Sequence, residues 1–82
     1  MILVDIDIPA LDTTYDFNLD EYSRISLVLD EIIEILQQTT QGSSKLDSEK
    51  LMLGSYSLQQ ILPRNASLHQ CGIHTGERLF LV

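Results

Sequence analysis

His69, Cys71 and His74 place three side chains of metal-ligating type within six residues. A structural zinc site wants four nitrogen or sulfur ligands, usually as two separated pairs, and the chain holds no other Cys or His. No metal is therefore expected, and a turn built around Gly72 accounts for the spacing. A cysteine near a histidine is also the pairing of a nucleophile with its base. No third group stands by to orient such a base and no glycines suggest a pocket wall, so no catalytic residue is expected. Asp5, Asp7 and Asp16 are the other cluster. Calcium would demand more oxygens from one tightly turned loop, and a solvated acidic face is the simpler reading. No glycine-rich loop could grip phosphate, and no cofactor is expected.

The elements that position these residues are legible from periodicity. Ile2, Val4, Ile6 and Ile8 alternate with Leu3, Asp5 and Asp7, which predicts a half-buried strand over 2–8. After Pro9 the alternation resumes in Tyr15, Phe17 and Leu19, predicting a strand over 15–19 and an antiparallel hairpin with one wet, acidic face. The period then becomes helical. Ile25, Val28, Leu29, Ile32, Ile35 and Leu36 form one stripe and predict a helix over 24–38, with Ser23 as N-cap. Residues 39–50 are polar and read as a loop, with Gly42 near the helix end. Leu51-Met52-Leu53 predicts a strand over 51–53 that Gly54 ends. Tyr56, Leu58 and Ile61-Leu62 are ambiguous between an edge strand and a turn. Residues 63–72 read as a turn or short helix capped by Asn65 or Ser67, and Gly76 opens a last strand over 77–82. One helix can cover only one face of such a sheet, so the expected fold is α+β in two layers, with a mixed sheet of four to five strands.

Composition narrows the function. The 82 residues suffice for one domain with a modest core. Nine acids against Arg24 in residues 1–36 give −8, three acids against four bases in 37–82 give +1, and the sum is −7. Such a surface repels phosphate backbones and anionic lipid, which argues against nucleic acid and membrane surfaces and favours a basic partner. No run of about 18 apolar residues is present to span a bilayer. The opening MILVDIDIP lacks a basic segment, so no signal peptide is expected, and one cysteine suits a reducing compartment. The expected location is the cytoplasm.

Three features together resemble the ubiquitin-like β-grasp fold over the whole chain. They are the opening Ile2-Val4-Ile6-Ile8, the stripe from Ile25 to Leu36, and the ending Leu68-x4-Ile73-x2-Gly76-x2-Leu79-x-Leu81. The ending L-x2-C-G-I-x2-G-x-R-L, with Tyr22 shortly before the helix, resembles more closely the small YukD/EsaB proteins of type VII secretion loci in Gram-positive bacteria. That resemblance implies first and last strands that run parallel in the middle of the sheet. It also implies an accessory or regulatory role in secretion, exerted by non-covalent binding to a machinery component or regulator. Conjugating members and sulfur carriers need a flexible Gly-Gly tail, whereas Val82 is β-branched and falls in the predicted last strand, so covalent transfer through it is not expected. A ubiquitin-like adaptor unrelated to secretion is the alternative reading, with a sulfur carrier or modifier behind it.

If Leu79 and Leu81 face the core, Phe80 and Val82 face the open side of the sheet, where Met52 and Leu3 would join them. An exposed Met–aromatic–aliphatic cluster is a candidate partner-binding surface, with Asp5, Asp7 and Asp16 as its acidic rim. A shifted register would instead bury Phe80. An edge strand near Tyr56 would permit a dimer.

Overall fold

A computed structural model describes residues 1–39, 47 and 49–82. The elements are β1 (Ile2–Ile8), a single 3-10 turn (Pro9–Leu11), β2 (Thr13–Leu19), α1 (Ile25–Thr39), β3 (Leu53–Ser55), β4 (Gln60–Ile61) and β5 (Arg78–Leu81). The strands form one sheet in the order β2-β1-β5-β3-β4. β5 runs parallel to β1, and every other neighbouring pair is antiparallel. The sheet is mixed and α1 packs on one face, an α+β arrangement with β5 in the middle.

The alternation of β1 does what period two requires. Ile2, Val4, Ile6 and Ile8 are buried, joined by Phe17 and Leu19 of β2, Leu53 of β3, and Leu79 and Leu81 of β5. Ile25, Val28, Leu29, Ile32 and Leu36 of α1 close over them, with Leu62, Leu68 and Ile73 filling the end of the core. The expected stripe is wrong at one position. Ile35 is 39% exposed, whereas Ile33, which pattern left out, is 6% exposed. At about 100° per residue the two flank the stripe on opposite sides, and only the tilt of the helix on the sheet selects between them.

The helix also starts differently from expectation. The amides of Ile25 and Ser26 donate to the carbonyls of Ala66 (2.8 Å) and Arg64 (3.0 Å), brought there by a distant loop. Ser23 does not serve as the cap: its hydroxyl donates to the Asp20 carboxylate at 3.0 Å. A helix end must satisfy its orphan amides, and main-chain carbonyls of the tertiary neighbour do that here.

Strand limits shift for identifiable reasons. The β1–β2 ladder extends to Ile8↔Thr13, so β2 begins before Tyr15, and Asp12 makes the corner with φ 51°. The third strand lies at Leu53–Ser55 rather than 51–53, with Gly54 inside it. A Cβ at Gly54 would overlap the Phe80 ring, so glycine is needed there for close approach and does not terminate the strand. Met52 joins the ladder through a reciprocal pair with Val82, 2.7 and 2.9 Å. The ambiguous stretch contains β4 as a two-residue edge strand. Thr39 belongs to the helix. Of the expected loop over 39–50, residues 40–46 and 48, Gly42 included, lie outside the described residues; the amides of Lys50 and Leu51 close a turn on the Asp47 carbonyl.

Candidate functional site

The segment carrying His69, Cys71 and His74 is one helical turn capped at both ends. The Ser67 amide donates to Gln70 Oε1 at 3.0 Å, and the Gln70 amide donates to Ser67 Oγ at 3.1 Å. That reciprocal exchange is a capping box. At the other end the Ile73 amide reaches the Leu68 carbonyl (3.0 Å) and the Gly72 amide the His69 carbonyl (3.1 Å), with Gly72 at φ 77°. This is the Schellman closure, which glycine makes without steric cost. The three side chains diverge accordingly. His69 packs its ring on Tyr22, 5.0 Å between centroids. Cys71 packs against the core, and burial pushes its thiol above the ordinary value. His74 is exposed. Among the described residues no three His, Cys, Asp or Glu side chains converge as a metal would require.

The sheet face opposite α1 is where the acidic and apolar candidates meet. In the parallel β1–β5 register Asp5 lies beside Arg78 and Asp7 beside Phe80. Asp7 Oδ1 accepts from the Thr14 hydroxyl (2.6 Å) and from Arg78 through Nε (3.2 Å) and a terminal nitrogen (2.9 Å). Its Oδ2 accepts from the Tyr56 hydroxyl at 2.8 Å. The Thr14 hydroxyl, the Arg78 guanidinium and the Tyr56 hydroxyl together hold the Asp7 carboxyl down to about 2. The same contact raises Arg78 and raises the Tyr56 phenol.

Tyr56 follows β3, two strands from β1, so its side chain must span roughly 10 Å across β5. It does so between Phe80, 5.0 Å between ring centroids, and the Arg78 guanidinium, 5.8 Å from the ring centre. Behind it, the Ser57 hydroxyl donates to Glu77 Oε1 (2.8 Å) and the His74 amide to Glu77 Oε2 (2.6 Å), pinning the turn that leads into β5.

Asp5 and Asp16 face each other directly across β1 and β2. A protonated Asp5 can donate to the Asp16 carboxylate and an ionised one is repelled by it, and both effects raise the Asp5 carboxyl. Of the expected rim, Asp7 forms the ion pair with Arg78, while Asp5 and Asp16 crowd each other across the hairpin.

The apolar candidates divide. Met52 and Val82 are paired through their backbones at one end of β3 and β5, and are 45% and 44% exposed. Phe80 stands next to them, half-buried over Gly54. Leu3 is exposed, but its carbonyl accepts from the Gly76 amide at 2.8 Å. That places it level with Gly76, six residues or about 20 Å from Val82 along the sheet. The register therefore separates Leu3 from the cluster it was expected to join.

The family model described as "WXG100 protein secretion system (Wss), protein YukD" matches residues 3–81. The chain belongs to the YukD family. Solved structures agree on its fold. The EccD5 ubiquitin-like domain from Mycobacterium xenopi superposes with a TM-score of 0.78 at 23% identity, over 99% of this chain and 91% of that one. The ubiquitin-like domain of the Arabidopsis thaliana protein At2g32350 gives 0.75 at 16% identity, over 99% and 74%. Caldiarchaeum subterraneum ubiquitin gives 0.71 at 13%, over 98% and 89%. No curated protein sequence matches. This YukD-family chain thus has the ubiquitin-like β-grasp fold, and it is a secretion-associated ubiquitin-like protein.

Sequence reading overlooked three members of the YukD-family chain's open face. Ile61, 43% exposed, lies level with Gly54 and so shares the face of Phe80. Pattern gives Tyr56 only a place in an ambiguous edge, and Arg78 only a place in a motif. A signal existed for Ile61, because Ile61-Leu62 in a strand must send one side chain to each face. None existed for Tyr56 and Arg78, whose meeting depends on the β1–β5–β3 order. Among the described residues no helix is long and apolar enough to cross a membrane.

Proposed function

We propose that this YukD-family chain is a non-catalytic, cytoplasmic accessory or regulatory protein of its secretion system that docks a protein partner, non-covalently, on the open sheet face. One observation carries the reading: Met52, Tyr56, Ile61, Phe80 and Val82 come from three adjacent strands to the face opposite α1, and four of the five are more than 40% exposed. A contiguous apolar surface of mixed aromatic, Met and aliphatic character is the kind that anchors a partner. Asp5 and Asp16 lie on the same face over β1 and β2, so the partner meets apolar surface on one side and negative charge on the other. A secretion-machinery component or regulator with an apolar strip flanked by basic residues fits that division.

The test is a pull-down from the native host, comparing the wild-type chain with Met52→Asp and Ile61→Asp. Both positions are exposed, so the variants keep the wild-type circular dichroism spectrum. Recovery of secretion components by the wild type, and their loss with either variant, supports the reading. Equal recovery by both variants defeats it.

A further inference from the structure

The second feature the fold leaves open is an edge. β2 is terminal in the sheet and seven residues long, whereas the opposite edge, β4, has two residues and is soon followed by Pro63. An edge near Tyr56 was the expected one; the long edge is on the other side of the molecule.

The direction of β2's main-chain groups follows from β1. The Asp5 amide donates to the Glu77 carbonyl (3.1 Å) and the Leu3 carbonyl accepts from Gly76 (2.8 Å), so the odd-numbered residues of β1 address β5. Their partners across the hairpin, Asn18, Asp16 and Thr14, occupy non-hydrogen-bonded positions and turn their own N–H and C=O groups outward. Side chains in such pairs approach closely, which is why Thr14 reaches Asp7 and Asp16 reaches Asp5. The register runs unbroken from Ile2↔Leu19 to Ile8↔Thr13, and Thr13–Leu19 holds no Pro, Gly or Lys. The usual devices that blunt an edge are thus missing from β2, except for the charge of Asp16.

We propose that the β2 edge accepts an extended segment of a partner protein as a sixth strand, with a lysine or arginine of that segment placed opposite Asp16. The main-chain groups of Thr14, Asp16 and Asn18 supply the ladder. The residue opposite Asp16 projects onto the open face, where its cation meets both Asp16 and Asp5 and relieves their repulsion. Its two sequence neighbours project the other way, beside half-buried Tyr15, so the segment alternates apolar and polar with a basic centre. A second copy of this chain is a poor occupant, because joining two β2 edges sets Asp12, Asp16 and Asp20 of one against those of the other, each chain at −7 overall.

The proposal is independent of what docks on Met52 and Phe80, and it is tested without that partner. The probe is a short synthetic peptide alternating valine and lysine, added to the isotope-labelled chain and followed by amide hydrogen exchange and chemical shift. Expected are slowed exchange at Thr14, Asp16 and Asn18, no such effect from a valine–glutamate peptide or from a proline-interrupted lysine peptide, and binding weakened about tenfold or more in Asp16→Pro and Asp16→Lys. Proline there removes only an outward donor; if that variant nevertheless unfolds, Asp16→Lys decides. Unchanged exchange at the three amides overturns the proposal, as does equal binding of the proline-interrupted peptide. So does protection of the same amides by self-association of the chain alone, which would make a second copy the occupant.

Discussion

Tyr56 and Asp7 are 49 positions apart in sequence, yet the Tyr56 hydroxyl lies 2.8 Å from Asp7 Oδ2, across the full width of β5. The contact ties the third strand's exit to the first strand. It also fixes the boundary between the acidic and apolar halves of the open face.

Acid titration reads the contacts of Asp7 with Thr14, Arg78 and Tyr56 together. Asp7 stands at about 2 against an ordinary 3.8. A depressed carboxyl contributes stability that is fully present above the ordinary value and is lost as pH falls through the depressed one, so Asp7's share fades between about pH 4 and pH 2. Asp5 has the opposite sign: Asp16 raises it, so ionisation of Asp5 works against the fold. Carboxyl titration by NMR should give Asp7 as the more acidic of the two, Tyr56→Phe should move Asp7 upward, and Asp16→Asn should move Asp5 downward.

Gly54→Ala should destabilise the chain by about 1–3 kcal/mol, because the new methyl displaces the Phe80 ring and breaks its contact with Tyr56. In a Phe80→Ala background the overlap with the ring is gone. There the lower chain entropy of alanine should make it neutral or stabilising by about 0.5–1 kcal/mol. Urea unfolding of the four proteins measures the reversal, and equal costs in both backgrounds would remove the steric account.

Ser67→Ala should cost about 1 kcal/mol, and Gln70→Ala less, because Ser67 Oγ is the partner of a first-turn amide. Their effects should be non-additive, since each side chain bonds the other's amide. Thermal unfolding of the single and double variants tests this.

Cys71 should react slowly. Burial raises its thiol, and the thiolate is the attacking species. Alkylation at pH 8 should be slower in the folded chain than in urea. A folded rate equal to the unfolded one would contradict the placement of Cys71 against the core.

Much of the architecture is local in origin. Alternation in residues 2–8, the helical stripe beginning at Ile25, and the capped turn at Ser67–Gly72 are written in spacing and residue type, because each is decided by neighbours a few positions away. Period two sets Leu79 and Leu81 on one face and Phe80 and Val82 on the other, but all four are apolar, and the pairing of β5 with β1 and β3 decided which pair faces the core. What pattern alone left undecided is what happens between strands. Register separated Leu3 from Val82 by the length of the sheet, put Ile61 beside Phe80, and brought Arg78 and Tyr56 onto Asp7. Helix tilt chose Ile33 over Ile35, and a loop forty positions downstream replaced Ser23 at the helix start. The amino-acid order thus determined which side chains share a face within each element, through short-range sterics and periodicity. Only the packed sheet decided which of them are neighbours, because that depends on strand order and register, and these are set by the summed burial of the whole core rather than by any one segment.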